Sequence, residues 1–110
     1  MQYMMLIYVD PASELGRSDD EQRAITDEYM AIRGEAGMVG GGHLQPIETA
    51  TTVRVSDGRA LTTDGPFADT KEVFGGFYLF ESDDVDAALE LAQRIPAARL
   101  GGAVEVRPIV

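Results

Sequence analysis

The sequence predicts an α+β fold, in which one β-sheet carries two helices on the same face in the ferredoxin-like order βαββαβ, with an additional β-hairpin. Three observations lead to this prediction: two strands that are apolar on both faces, two amphipathic segments with helix-capping signals, and an Asp-Gly turn between two β-branched runs. The length of 110 residues fits a single domain, which we expect to span residues 1–110.

The two central strands are predicted over residues 2–9 and 73–80. Successive side chains of a strand point to opposite faces, and in both segments each face is apolar. Gly75 and Gly76 lie within the second segment. Strands of this composition are typical of the centre of a sheet that is buried on both sides.

The first helix is predicted to begin after Ser18, because Glu21 three residues later completes a capping-box pattern. Apolar residues follow at helical spacing up to Ala36, and Gly37 is expected to supply the left-handed C-terminal cap. The second helix is predicted over residues 84–95, where one face is apolar and a proline follows directly.

Shorter strands complete the predicted sheet. A strand is expected within residues 38–46, and another closes the chain at residues 103–110. Residues 51–56 and 59–63 are predicted to form a hairpin, because Asp57-Gly58 tolerates the positive φ angles that a two-residue turn requires.

Both helices of this arrangement cover the same face of the sheet, so the other apolar face of the central strands has no cover within the chain. A second copy of the chain can supply that cover. We therefore expect a homodimer that associates through the sheet faces.

The charge balance limits the classes of partner. With 9 Lys and Arg against 19 Asp and Glu, the net charge of −10 disfavours binding to nucleic acid or to a membrane surface. An anionic ligand would therefore need a locally positive pocket. The chain has no cysteine, which excludes thiolate metal sites and thiol nucleophiles and fits a cytoplasmic location.

The most distinctive stretch contains Asp64-Gly65-Pro66-Phe67, which reads as a turn in which Pro66 fixes one φ angle. Phe67 is expected to anchor this loop to the core. With the following Lys71-Glu72 and Gly75-Gly76, the stretch resembles the signature of the DGPF branch of the YCII-related proteins. The resemblance extends to Leu44-Gln45-Pro46 and to residues 104–108, so it covers nearly the whole chain.

The resemblance implies a dimeric α+β barrel, in which two ferredoxin-like sheets pack face to face around a cleft. It also implies enzymatic activity for the wider group, with a His and an Asp lining the cleft, and one relative acts as a dehydrochlorinase on an aromatic ring. Most of the DGPF branch has no assigned reaction, and such proteins are often encoded beside extracytoplasmic-function sigma factors.

Within that resemblance the catalytic candidates are Asp64 and His43. Asp64 matches the Asp, either as a general base or substrate-orienting group or as a turn former that bonds its own backbone. The wider group carries its His in the first helix, where this chain has none. His43 is the only histidine, and its alternative role is that of a polar strand residue near a Gly-rich bend.

Five further residues are candidates for substrate binding. Arg54 and Arg107 lie in strands and would clamp a carboxylate or phosphate if both point into the dimer cleft. Phe67 and Tyr78 are aromatic and serve either the core or the mouth of a cleft. Lys71 is a solvated charge unless it points into that cleft.

Three functions follow from these candidates. The first is an enzyme, without cofactor or metal, that performs acid/base chemistry on a small aromatic or carboxylated compound in the dimer cleft. The second is a small-molecule binding or regulatory module, linked to extracytoplasmic-function sigma factors, that needs the pocket but no titrating group. The third is an interaction domain with no pocket.

Overall fold

A computed structural model describes residues 1–110. The helices are α1 (Asp19–Arg33) and α2 (Val85–Arg94). The strands are β1 (Gln2–Val9), β2 (Met38–His43), β3 (Thr51–Ser56), β4 (Arg59–Asp64), β5 (Val73–Glu81) and β6 (Ala103–Pro108).

Four strands form one antiparallel sheet in the order β2-β5-β1-β6, and β3 and β4 form a separate two-stranded sheet. Without the hairpin, the chain order is βαββαβ with the first and third strands at the centre, which is the ferredoxin-like arrangement. The predicted fold class is therefore confirmed, with the hairpin inserted between β2 and β5.

The hydrophobic core lies between this sheet and the two helices. Met5 of β1 lies opposite Tyr78 of β5, so both side chains point to the same face. Leu91 of α2 and Ile32 of α1 pack in the same cluster. The cluster comprises Tyr3, Met5, Ile7, Ile32, Tyr78, Phe80, Ala88, Leu91, Ile95 and Ala97. Both helices consequently cover one face of the sheet.

The opposite face of the sheet has no helix. Leu6 lies directly opposite Phe77, and Met4 opposite Leu79, so these four side chains share that face. All four are half-buried, and none belongs to the buried core. This open apolar face is the surface that the sequence predicted.

Helix α1 begins as predicted, because the Ser18 hydroxyl accepts a hydrogen bond from the backbone N–H of Glu21 at 3.1 Å. Its predicted end was wrong. The helix stops at Arg33 and not near Ala36, and the capping residue Gly34 has an ordinary φ of −88°. Gly37 does have a φ of +92°, but it lies at the turn into β2, where a Cβ would come within 2.8 Å of the Glu81 carbonyl oxygen.

Asp57 and Gly58 have φ angles of +51° and +74°, which confirms the predicted hairpin turn. The hairpin contains none of the buried residues. Because the hairpin projects from the sheet, the radius of gyration is 15.8 Å, against about 13 Å for a compact chain of this length.

The expectation that Phe67 anchors to the core was wrong, because its side chain is 74% exposed. The loop continues from a hairpin that contains no buried residue, and the Phe67 ring contacts the Arg54 guanidinium instead.

The turn that follows α1 is tied to the end of α2 by a bidentate pair, in which Arg94 donates two hydrogen bonds of 2.7 Å to Glu35. These bonds lower the pKa of the Glu35 carboxyl. Both side chains are partly exposed, so the pair contributes little to stability. Neither helix has the length and apolar composition needed to cross a membrane.

Candidate functional site

A cavity of about 710 Å³ lies between α1 and the helix-covered face of the sheet. Polar and apolar side chains both line it, which is the usual character of small-molecule sites. The polar and titratable lining residues are Ser13, Glu14, Arg17, Gln22, Thr26, Tyr29, Arg33, His43, Gln45, Glu48 and Tyr78. The sequence predicted a cleft between two sheets, whereas this cavity lies within one chain on the other face.

A glycine in the sheet accounts for part of this space. Gly76 lies between Ile7 and His43 in the register, so all three positions point towards the helices. At the next pair of positions on this face, the large side chains of Met5 and Tyr78 fill the space between the sheet and the helices. Gly76 contributes no side chain, and an added Cβ would lie 2.8 Å from the Gly42 carbonyl oxygen. The sheet at Gly76 forms the floor of the cavity, and no side chain therefore covers it beside His43.

His43 is the last residue of β2 and lies at the edge of the sheet. Its strand position faces α1, and its side chain lines the cavity and is exposed. No group of the chain forms a hydrogen bond with its ring. The imidazole is therefore free to meet a molecule in the cavity.

Two tyrosines connect the cavity wall to the core. The Tyr78 hydroxyl donates a hydrogen bond of 2.9 Å to the Tyr29 carbonyl, and the Tyr29 hydroxyl accepts one of 3.2 Å from the Ala97 N–H. Burial raises the pKa of Tyr78 to about 12. Burial also raises the pKa of Tyr29, and the positive charge of Arg17 opposes that rise. Tyr78 therefore stays protonated at neutral pH and cannot act as a base.

Arg17 lines the cavity just before the N-cap of α1 and is half-buried. Its guanidinium donates to the Ser13 hydroxyl at 3.2 Å and to the Gln22 amide oxygen at 3.4 Å. No carboxylate lies within ion-pair distance of it. Its charge is therefore held in place by neutral groups.

Asp64 lies elsewhere in the molecule. It is the last residue of β4, its strand partner is Thr51, and it does not line the cavity. Its exposed carboxylate accepts no hydrogen bond from the chain, so the turn-forming bond to its own backbone is absent. Gly65 ties the end of the hairpin instead, since its N–H donates to the Ala50 carbonyl at 2.7 Å.

Arg54 and Phe67 lie together at this base of the hairpin. The guanidinium carbon of Arg54 is 4.9 Å from the centre of the Phe67 ring, which is a cation–π contact. Both side chains are exposed, and neither lines the cavity. The structure therefore brings Arg54, Phe67 and the end of β4 into one region, and His43 and Tyr78 into another.

The remaining two candidates lie apart from both regions. The Lys71 ammonium is 3.9 Å from the Asp10 carboxylate and is 83% exposed. Arg107 lies opposite Met4 on the open face of the sheet, where it borders a small depression of about 150 Å³. Arg107 and His43 thus occupy opposite faces of one sheet.

Sequence reasoning missed Arg17 and Arg33 as cavity residues. One signal was available, because Arg17 precedes the first predicted helix of a strongly acidic chain and Arg33 lies near its end. The side on which they project depends on how α1 packs, and the helical pattern alone does not give that. No group of three or more His, Cys, Asp or Glu side chains is arranged to hold a metal ion.

The fold and the cavity define a ferredoxin-like α+β protein with a pocket beneath its first helix. The model of the YCII-related domain matches residues 1–110, and the chain belongs to this family. The predicted family is thereby confirmed.

An uncharacterized protein of Rhizobium meliloti (strain 1021) is 36% identical over 114 residues, covering 99% of this chain and 92% of that protein. Among solved structures, this chain resembles 5-chloro-2-hydroxyhydroquinone dehydrochlorinase (TftG) from Burkholderia phenoliruptrix AC1100, in complex with 2,5-dihydroxybenzoquinone. The TM-score is 0.54 at 19% identity, with 100% of this chain and 94% of that chain covered. That likeness supports the shared fold.

Proposed function

We propose that this chain is an enzyme that binds a small aromatic or carboxylated compound in the cavity beneath α1 and transfers a proton there through His43. The observation that carries the proposal is the position of His43 beside the bare floor at Gly76, on the wall of a cavity of about 710 Å³. A histidine is the side chain that most readily gains and loses a proton near neutral pH.

The cavity fits a compact organic molecule. Its volume lies within the range of about 300–1,000 Å³ that is usual for small-molecule sites. Apolar residues such as Ile25 and Val9 share the lining with the polar groups. The dehydrochlorinase TftG, which shares the fold, acts on a small hydroxylated ring, so 5-chloro-2-hydroxyhydroquinone is the first compound to test.

The test begins with thermal-shift measurements against aromatic acids and hydroxylated rings, followed by turnover assays on the compounds that bind. Release of chloride from 5-chloro-2-hydroxyhydroquinone is one such assay. The variant His43→Gln is expected to retain binding and to lose at least about a hundredfold in turnover, since general acid–base catalysis contributes about that much or more.

Asp64→Asn is the matched comparison, because the carboxylate lies outside the cavity in one chain. Loss of turnover in Asp64→Asn with full turnover in His43→Gln would overturn the role of His43. It would also support the general-base role predicted for Asp64. A site role for Asp64, Arg54 or Phe67 requires that a second chain bring the hairpin to the cavity.

The second candidate function is a binding or regulatory module without catalysis. The observation that favours it is the free imidazole of His43, since a catalytic histidine is usually oriented by a further group. Tight binding of a compound with no turnover, unchanged by His43→Gln, would support this candidate. The predicted link to sigma-factor regulation belongs to this alternative.

We also propose that the chain forms a homodimer through its open sheet face. Support comes from the apolar pairs on that face, Leu6 with Phe77 and Met4 with Leu79, which no helix covers. The substitution Leu6→Lys is expected to shift the protein from dimer to monomer in sedimentation-equilibrium experiments. A monomeric wild-type protein would contradict the proposal. The cytoplasmic location expected from composition stays a prediction.

A further inference from the structure

We infer that Arg17 is the anchor for the carboxylate of the ligand, and that the ligand is a monoanionic aromatic acid. This inference rests on the proposed function, because it names the chemistry of a compound bound in the cavity beneath α1. Its basis is the arrangement of the Arg17 side chain, its contrast with the paired arginines near the helices, and the charge of the cavity lining.

The Arg17 guanidinium is positioned before any ligand binds. Ser13 and Gln22 accept hydrogen bonds from its two terminal nitrogens at 3.2 and 3.4 Å. A guanidinium has more N–H donors than these two bonds use, and its planar fork matches a carboxylate. Because both partners are neutral, they fix the orientation of the group without cancelling its charge.

Three other arginines near the helices are paired with carboxylates, whereas Arg33 also lines the cavity without such a partner but is exposed. Arg94 is paired with Glu35 and Glu90, Arg99 with Glu28, and Arg23 with Asp20. Arg17 has no such partner, although Asp19, Asp20 and Glu21 follow it closely in the chain. A half-buried positive charge on a cavity wall, in a protein of net charge −10, is costly unless an anion occupies the cavity.

The charge of the lining limits the anion. Arg17 and Arg33 contribute two positive charges, and Glu14 and Glu48 contribute two negative ones. The lining is therefore neutral with His43 uncharged, whereas the whole chain is strongly acidic. A singly charged carboxylate can be held by Arg17 in this setting, while a doubly charged phosphate adds repulsion from both glutamates.

The remainder of the lining fits a flat apolar body. Ile25 of α1, Val9 of β1 and Val73 of β5 border the cavity and are all half-buried. Such walls favour a ring that excludes water from the site. The combination of a half-buried, unpaired guanidinium at Arg17 with these walls selects an aromatic acid over a sugar or a nucleotide.

The inference is tested by isothermal titration of the full-length protein with benzoate and salicylate, and with the neutral benzamide and salicylamide. The wild-type protein is expected to bind each acid at least about tenfold more tightly than its amide, because a charge-assisted hydrogen bond is stronger than a neutral one. Arg17→Gln is expected to remove this preference, and Arg17→Lys to leave part of it, since lysine keeps the charge but not the fork.

Arg23→Gln is the matched control, because Arg23 lies nearby in the first turns of α1, is 73% exposed and does not line the cavity. It should leave the preference for the acids unchanged. Equal affinity for acid and amide in the wild-type protein, or an unchanged preference in Arg17→Gln, overturns the inference and leaves the proposed function standing. Failure of every acid and every amide to bind overturns both.

Discussion

The helix-covered sheet and the β3–β4 hairpin have similar sequence patterns and very different environments. Both contain strands with β-branched or aromatic residues in alternation. Met5 of β1 is fully buried, whereas Val53 and Val55 of β3 are 60% and 71% exposed. The difference shows that strand pairing alone buries little, and that a sheet needs a packed layer against it to form a core.

The largest effect is expected in the core. Leu91→Ala should lower the free energy of unfolding by about 2–5 kcal/mol, because the fully buried side chain leaves a cavity between α2 and the sheet. Urea denaturation measures the change. Val55→Ala in the hairpin is the comparison and should cost less than about 0.5 kcal/mol. Equal losses in the two variants would mean that the hairpin is buried in the folded protein, for example by a second chain.

A smaller effect is expected at the floor of the cavity. Gly76→Ala should destabilise the protein by about 1–3 kcal/mol, since the new Cβ would press against the Gly42 carbonyl oxygen. Gly34→Ala, at the end of α1, is the control, because its nearest heavy atom is at 3.6 Å. A neutral result for Gly76→Ala in thermal denaturation would show that β2 can move away from β5.

Removing the hydroxyl of Tyr78 should cost about 1 kcal/mol, because the hydrogen bond to the Tyr29 carbonyl is lost in a buried site. The pKa of Tyr78, raised from 10.0 to about 12, adds a pH dependence. The unfolded chain releases this proton first as the pH rises, so the stabilisation is complete below pH 10.0 and is lost towards pH 12. The free energy of unfolding, measured across this pH range, should fall less steeply for Tyr78→Phe than for the wild-type protein.

The smallest effect is expected at the surface pair between Arg94 of α2 and Glu35, which follows α1. Glu35→Gln should lower stability at neutral pH by less than about 1 kcal/mol, because Arg94 and Glu35 are partly exposed. The folded pKa of Glu35 lies below its ordinary value of 4.5, so the contribution is present above that pH and fades as the pH falls through the lowered pKa. Stability curves that coincide at every pH would show that the pair contributes nothing measurable.

Much of the fold could be predicted from local signals. The Ser18 cap, the Asp57-Gly58 turn and the apolar alternation of β1 each depend on residues close in the chain, and each was found in the structure. The end of α1 could not be predicted in this way. In the sequence Gly37 has the position of a helix cap. In the structure its positive φ occurs at the turn into β2, where its backbone lies close to Glu81 of β5.

The candidate site was much less predictable. His43 and Tyr78 were named from the sequence and line the cavity, whereas Asp64, Arg54 and Phe67 lie at the hairpin. Arg17 was not named at all. Residues that line a cavity come from distant parts of the chain. Their proximity depends on tertiary packing, which local sequence patterns do not predict.

The sequence by itself determined the elements of this protein: the two apolar central strands, the amphipathic helices and the hairpin turn, because each follows from backbone preferences and from side-chain periodicity. Only the tertiary structure decided that the cavity lies beneath α1, on the face that His43 shares with Ile7 and Gly76. The register between strands assigns each side chain to one face, and a missing side chain at a single position leaves space there.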